Sequence, residues 1–273
     1  MKLSNKLYIT LTIAIAIISL SSAQVSISTG TPTTNPKGVI DMQNSTAGLV
    51  YPRFSLTATN VQAPVENPNG SATLEPGTVV YNMNSTATGT NDVYPGIYAW
   101  DGTEWTTQFI KEDSNISEQA SLGFRVVNSD SYVDVPGLGA GSSFTPKYSG
   151  TYRVKANFNF GAGKIVPDFS FVTSMATQEG YFRITLDGDV YLIYTHSYSV
   201  YNQDINEYFE QFRHDSSLIV YVDLVAGVQF DYQFEIDLFV SSNFENGGNS
   251  GDGRPYVGIG LPCTIEFTYL EGQ

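Results

Sequence analysis

Residues 149–160 read SGTYRVKANFNF, and apolar and polar residues alternate along this stretch. The apolar set comprises Tyr152, Val154, Ala156, Phe158 and Phe160. A period of two is typical of a β-strand that buries one face and exposes the other. The other face carries two cations, Arg153 and Lys155, in a chain whose net charge is −14. The stretch therefore predicts a half-buried strand with a cationic outer face.

A second stretch, VQFDYQFEIDLFV at residues 228–240, has the same alternation and the opposite charge. Its predicted apolar face comprises Phe230, Tyr232, Phe234, Ile236, Leu238 and Val240. Burial of each large apolar side chain is worth about 1.5–3 kcal/mol, so we expect this strand to be a main source of core burial. Its polar face carries Asp231, Glu235 and Asp237. If the two strands are neighbours, these carboxylates pair with the two cations at about 0.2–1 kcal/mol a pair, which helps to set the register.

The composition of the chain is that of an all-β protein. No stretch has the periodicity of an amphipathic helix, and runs rich in Val, Ile, Thr, Tyr and Phe are broken by Gly, Pro, Asn and Asp clusters. The Asp187-Gly188 pair is typical of a tight hairpin turn, and residues 245–255 are predicted to form a flexible, exposed loop. The pattern after Leu122 predicts about ten antiparallel strands in a sandwich or barrel of Greek-key type.

The chain is predicted to have four parts. Residues 1–23 contain two lysines, an apolar run and small residues at the expected cleavage position, as in a secretory signal peptide. Residues 24–110 contain apolar runs that look too short to close a core alone, and we expect them to form a β-rich stalk or adaptor. The polar, aperiodic residues 111–119 are predicted to be a linker, and residues 120–273 the sandwich domain.

Charge and cysteine content limit the function. The chain has 13 Lys+Arg and 27 Asp+Glu, which argues against nucleic acid or anionic membrane as a partner. The N-terminal apolar run is shorter than the ~20 residues that a membrane span needs, so we expect no membrane span and a secreted protein. Cys263 is the single cysteine, so no disulfide forms within the chain and packing must supply its stability.

Three motifs resemble, in their order, those of the C1q/TNF-like jelly-roll family. They are SGTYRVKANFNF, then SSLIVYVDLVAGVQFDYQFEI at residues 216–236, then GIGLPCTIEFTYL at residues 258–270. A Gly-x-Tyr strand, an apolar strand ending in a Gly-Asp turn and a Gly-containing final strand recur in this family, although the turn here reads Gly227-Val228.

The resemblance implies a C1q/TNF-like jelly-roll sandwich in which the strands at 149–160 and 228–240 are adjacent in the inner sheet. It also implies a compact homotrimer, with the outward face of that sheet turned toward a neighbouring subunit. The predicted subunit-contact residues are Arg153, Lys155, Asp231, Glu235 and Asp237.

The N-terminal region has a resemblance of its own. TNPKGVIDMQNSTAGLVYPRF at residues 34–54 and GIYAWDGTEW at residues 96–105 are similar to a segment of secreted Bacteroidota proteins and of tail-fibre-like proteins. The residues that carry it are Asn35, Pro36, Gly38, Asp41, Tyr98, Trp100, Asp101, Gly102 and Trp105. The similarity implies an extended, trimeric β stalk that precedes a C-terminal head.

Motifs for catalysis and metal binding are sparse. The sequence has no nucleophile elbow, paired histidine ligands or phosphate loop, so His196 and His214 are expected to be structural. Asp187 and Asp189 flank Gly188 on a turn, and carboxylates on flexible turns suit calcium. Calcium is therefore the only cofactor considered, and the alternative is a plain hairpin turn.

One run of tyrosines is a candidate glycan platform. Alternation places Tyr194 and Tyr198 on one face of a predicted strand, and Tyr191 and Tyr201 on the other. Because the set is split between two faces, we expect most of it to lie in the core or in a subunit contact.

These observations favour a secreted, non-enzymatic homotrimer whose C1q-like head recognises an extracellular glycan or protein. The alternatives are a monomeric carbohydrate-binding β-sandwich and a hydrolase, which needs an acid and a base in a cleft.

Overall fold

The computed structural model describes residues 25–28, 40–126 and 131–270. The chain divides into two compact units, Met1–Tyr51 and Pro52–Gln273. The predicted signal peptide lies outside the described residues. Among the described residues, no helix has the length and apolar character that a membrane crossing requires.

The first unit contains a pair of parallel strands. β1 (Val25–Ser28) pairs with β2 (Ile40–Gln43). The register matches apolar with apolar residues, since Val25 lies opposite Ile40 and Ile27 opposite Met42.

The second unit begins with a four-stranded sheet. Its strands are β3 (Arg53–Phe54), β4 (Val79–Asn82), β5 (Gly96–Trp100) and β6 (Trp105–Thr107), in that order across the sheet. β3 and β4 are parallel, and the other neighbours are antiparallel.

This small sheet has its own core, so the prediction that its runs are too short to close one was wrong. The buried members are Leu56, Val65, Leu74, Val80, Val93, Tyr98, Trp100 and Trp105. The connecting segments supply half of them, which the strand pattern alone does not show. Trp100 and Trp105 pack at 5.2 Å between ring centroids.

The rest of the second unit is a β-sandwich. Its strands are β7 (Ser114–Glu118), β8 (Phe124–Arg125), β9 (Val133–Asp134), β10 (Ser142–Phe144), β11 (Gly150–Gly161), β12 (Thr173–Leu186), β13 (Asp189–Asn202), β14 (Glu207–Phe209), β15 (His214–Leu224), β16 (Phe230–Leu238), β17 (Tyr256–Val257) and β18 (Thr264–Tyr269). Two short 3-10 turns, Glu245–Gly248 and Gly251–Gly253, lie between β16 and β17. The predicted all-β sandwich is therefore confirmed.

The sandwich strands form two sheets. Sheet I contains β7, β18, β11, β17 and β8, with β15 on the other side of β11. Sheet II contains β10, β16, β12, β13 and β14, with β9 also paired to β16. Four antiparallel pairs are nested in sequence: β7 with β18, β10 with β16, β11 with β15 and β12 with β13. The nested pairs thus connect strands that are far apart in sequence and distribute them over the two sheets of the sandwich.

The two alternating stretches bury their apolar faces in one shared core, as predicted. Every apolar residue of β11 named above is buried, and so are those of β16 from Phe230 to Leu238. Phe158 of β11 stacks on Phe234 of β16 with 4.9 Å between ring centroids. Val240 differs, because β16 ends at Leu238 and Val240 is exposed.

The predicted adjacency of these strands was wrong. β11 belongs to sheet I and pairs with β15, β18 and β17, whereas β16 belongs to sheet II and pairs with β12, β10 and β9. A half-buried strand buries its apolar face equally well beside a second strand or across a core from it. The alternation therefore identifies the shared core without identifying the neighbour.

Part of the predicted linker is a strand of the sandwich. β7 pairs with the final strand β18, with Ser114 opposite Thr268 and Glu118 opposite Thr264. Its side chains are mostly exposed, as is common at a sheet edge, and this explains the absence of a hydrophobic period in its sequence.

The loop at 245–255 is packed against the sandwich, which differs from the predicted flexible loop. The buried side chain of Gln178 accepts a hydrogen bond from Gly163 N at 2.9 Å and donates one to Gly253 O at 3.1 Å. A Cβ on Gly253 would lie 1.9 Å from Glu245 O. The glycines of this loop therefore permit close backbone packing.

Candidate functional site

The outward side of sheet I, which we call the sheet I face, combines apolar and charged side chains. It comprises Ile116, Arg153, Lys155, Ile219, Tyr221 and Glu266. Ile116, Ile219 and Tyr221 are 57, 49 and 64% exposed. The register forms one row across four strands, from Ile116 through Glu266 and Lys155 to Ile219. Large exposed apolar side chains grouped on one face mark a contact surface.

The charges of this face pair within sheet I. Arg153 Nη2 lies 3.1 Å from Glu266 Oε1 and donates to it. Both side chains are about one third exposed, so the pair is worth at most about 1 kcal/mol. Lys155 forms no ion pair within the described part of the chain. It is therefore a cation available to a partner.

The predicted partners of these cations lie on the opposite side of the sandwich. Asp231, Glu235 and Asp237 belong to β16 in sheet II, so pairing with Arg153 or Lys155 within one chain was a wrong prediction. A role of these five residues in subunit contact stays a prediction.

Glu235 has a different partner, Arg183 of β12. The guanidinium donates two hydrogen bonds of 2.7 Å to the Glu235 carboxylate, and the ring of Tyr132 lies 3.8 Å from its centre. The hydrogen bonds that Arg183 donates to Glu235 raise the pKa of Arg183. In the sequence, the alternation of YFRITL already indicates that Arg183 lies on the outward face of its strand.

A line of aromatic rings, which we call the aromatic strip, runs along the outward side of sheet II and ends at His214, the first residue of β15 in sheet I. It comprises Phe239, Tyr181, Tyr194, His196 and His214. Successive centroids are 5.6, 5.8, 5.5 and 4.4 Å apart. Sequence reasoning singled out Tyr194 and missed Tyr181, which has the outward parity of β12, and Phe239, which directly follows β16.

Tyr194 and Tyr198 face outward and are 45 and 44% exposed, while Tyr201 is buried and Tyr191 packs against the core. The predicted split of the four tyrosines is confirmed. The Tyr194 hydroxyl donates to Glu179, and this hydrogen bond raises the pKa of Tyr194.

The candidate calcium ligands lie at the hairpin between β12 and β13. Asp187 has a φ of 45° and its N–H donates to Asp231 O at 2.9 Å. A groove of about 370 Å³ borders this turn and includes Asp187 and Asp231 in its lining, but not Asp189. Within residues 40–126 and 131–270, no three His, Cys, Asp or Glu side chains are grouped to hold a metal ion. Calcium binding here stays a prediction.

The four-stranded sheet and the sandwich meet at a buried polar junction inside the second unit. Ser149 Oγ donates to Asp92 and accepts from Ala226 N at 2.9 Å. Ser149 N donates to the Tyr94 hydroxyl at 2.9 Å, and the Tyr94 and Tyr148 rings pack edge-on at 4.8 Å. Ser149, the residue directly before β11, thus joins the four-stranded sheet to the sandwich.

Asp92 is held ionised at this junction. Burial opposes its charge, but hydrogen bonds from Ser149 and Thr88, with a further one from Thr86, outweigh burial and lower the pKa of Asp92. A carboxylate with a lower pKa in the folded state stabilises the fold above its unfolded pKa, and this contribution is lost as the pH falls through the folded pKa.

We therefore expect an acid-sensitive junction. Wild-type protein should lose thermal stability as the pH falls below about 4, and Asp92→Asn should lose less over the same range. At pH 7 the variant should be less stable by about 1.5–3 kcal/mol, because hydrogen bonds to a charged group are lost. Melting temperatures between pH 7 and 3 measure both effects. If the melting temperature falls equally with pH in both proteins, Asp92 is not the group that makes the junction sensitive to acid.

Comparison with known proteins gives one family match. Residues 26–120 match a family described as phage tail like trimerisation region. The match includes β1 and β2, the four-stranded sheet and β7. No curated protein matches the chain. The fold and this match support a homo-oligomeric, β-rich protein, with a trimer as the assembly that the family describes.

Proposed function

We propose that this protein is a secreted, non-enzymatic homotrimer that displays a C1q-like jelly-roll head for recognition or adhesion outside the cell. The observation that carries the proposal is the match of residues 26–120 to a trimerisation region that extends into β7, the first strand of the sandwich. The predicted signal peptide supports secretion.

The topology of the head supports the C1q-like assignment. The Gly-x-Tyr motif, Gly150 to Tyr152, opens β11, and the Gly227-Val228 turn connects β15 to β16. The motifs of the resemblance thus fall on central strands of a jelly roll, with the last motif on β18 beside β11.

The strand pair of the first unit gives a second argument for assembly. Parallel sheets are almost always covered on both faces, and an isolated two-stranded sheet is at best marginally stable. The pair β1 and β2 has apolar register pairs such as Val25 with Ile40. Copies of the same segment from other subunits are the cover that a trimerisation region supplies.

The sheet I face is the proposed subunit contact of the head. Ile116 and Ile219, the apolar residues at the two ends of the row, become buried against a second copy. Lys155 pairs with a carboxylate of that copy. A closed ring of three copies needs a head-to-tail contact, so in the proposed trimer this face meets a different surface of the next copy.

The proposed mechanism is multivalent recognition. Three heads on one assembly bind a repetitive surface with an apparent affinity above that of one head, because the second and third contacts are intramolecular. Weak single sites therefore suffice for extracellular adhesion.

Sizing with multi-angle light scattering tests the trimer. We expect a mass of about three times that of the mature chain, which is somewhat smaller than the 29.8 kDa full chain. A single species of one chain mass contradicts the proposal. It favours the second candidate, a monomeric carbohydrate-binding sandwich, for which the aromatic strip is the supporting observation.

A further inference from the structure

We infer that the aromatic strip binds a neutral oligosaccharide. The inference deepens the proposed function and rests on it, because it names the ligand class that the displayed head recognises. The observations that carry it are the exposure of Phe239 and Tyr194, the spacing of the rings and the charges beside them.

The strip is long enough for a chain of sugars. β16, β12 and β13 are neighbours in sheet II, and Tyr181 lies opposite Asp237 on one side and opposite Tyr194 on the other. Strands lie about 4.8 Å apart, so the rings from Phe239 to Tyr194 extend over roughly 10 Å, the length of about two linked pyranose rings.

The chemistry of the strip suits sugars. A pyranose ring has faces of C–H groups that pack on aromatic rings, and hydroxyls at its rim that need hydrogen-bond partners. Tyr194 and His196 offer an apolar ring with a polar edge. The Glu179 carboxylate lies opposite His196 in the register and already accepts from Tyr194, so its remaining oxygen lone pairs are acceptors for sugar hydroxyls.

The local charge selects neutral sugars. Glu179 and Asp237 flank the strip and repel sulfate, phosphate and carboxylate groups. The nearby cation Arg183 is engaged on both sides, by the two hydrogen bonds to Glu235 and by the Tyr132 ring. An acidic glycan therefore meets carboxylates without a cation that is free to pair with it.

The strip also differs from the surface proposed for subunit contact. The sheet I face combines aliphatic and charged residues with the single ring of Tyr221, whereas the strip consists of rings, four of which carry a hydrogen-bonding group. Sheet II contributes its inner side to the core, and Phe239, Tyr181 and Tyr194 lie outside that core.

Calorimetry on the full chain tests the inference. The probes are three neutral hexasaccharides, cellohexaose, maltohexaose and chitohexaose, with a heparin hexasaccharide as the anionic probe. We expect at least one neutral probe to bind and heparin not to bind. Tyr194→Ala should weaken that binding by on the order of tenfold, because an exposed ring face is lost. Tyr194→Phe keeps the ring and should weaken it only about threefold, by loss of a hydrogen bond.

The matched control is Tyr81→Ala, which removes a similarly exposed tyrosine from β4 and should leave binding unchanged. Failure of all three neutral probes at millimolar concentration overturns the inference, as does equal binding by wild type and Tyr194→Ala. Preference for heparin overturns it as well.

Light scattering on the same samples separates this inference from the proposed function. A trimer without sugar binding overturns the inference alone. A monomer whose sugar binding is lost in Tyr194→Ala overturns the trimer and supports the inference. A change of mass in Tyr194→Ala shows that a second copy covers the strip, and this also overturns the inference.

Discussion

Replacement of Phe158 by alanine is expected to lower the free energy of unfolding by about 3–5 kcal/mol. The Phe158 ring is 2% exposed, stacks on Phe234 and lies 4.8 Å from the Phe182 ring. Both neighbours belong to sheet II, so the substitution removes contacts that hold the two sheets together. The close-packed core cannot fill the cavity that remains. Urea unfolding followed by circular dichroism measures the loss.

Phe169→Ala is the control for this measurement. Phe169 is an exposed ring of the same size, and its removal should change stability by less than about 0.5 kcal/mol. Equal losses in the two variants would contradict the shared core between sheets I and II.

Replacement of Ile219 by glutamate is expected to weaken the trimer, so that it dissociates at a higher protein concentration than the wild type. In the proposed assembly Ile219 becomes buried against the next copy, and burying an ionised carboxylate there costs free energy even opposite Lys155. The variant chain should fold normally, because Ile219 faces away from the core. Light scattering measures the mass, and thermal unfolding reports the fold.

Two further variants define what the contact consists of. Val190→Glu places the same charge on an exposed aliphatic position of sheet II and should leave the mass unchanged. Lys155→Glu should weaken assembly less than Ile219→Glu if apolar burial dominates. If the Ile219→Glu trimer dissociates over the same concentration range as the wild type, the sheet I face is excluded as a subunit contact.

Alternation along β11 and β16 was sufficient to predict which side chains enter the core. It was insufficient to predict the neighbours, because a period of two says which face is buried and nothing about the strand beside it. The strand that pairs with β11 on one side is β15. Its alternation is less clear than that of β16, because Ile219 and Tyr221 are apolar residues on the exposed face.

The candidate sites show the same limit. The outward parity of Tyr194 and Arg183 follows from sequence, but the aromatic strip requires β16, β12 and β13 to be side by side. The ion pair of Arg183 with Glu235 likewise joins residues 52 positions apart. Such groups become visible only when the sheet order is known.

The nested pairing of first and last strands has a practical consequence for labelling. Tyr269 N donates to Asp113 O at 2.8 Å, so the end of β18 lies beside the segment that leads into β7. A fluorophore attached at the end of β18 would therefore sit next to the segment that connects the four-stranded sheet to the sandwich. A fluorophore intended to report on the aromatic strip belongs on sheet II instead.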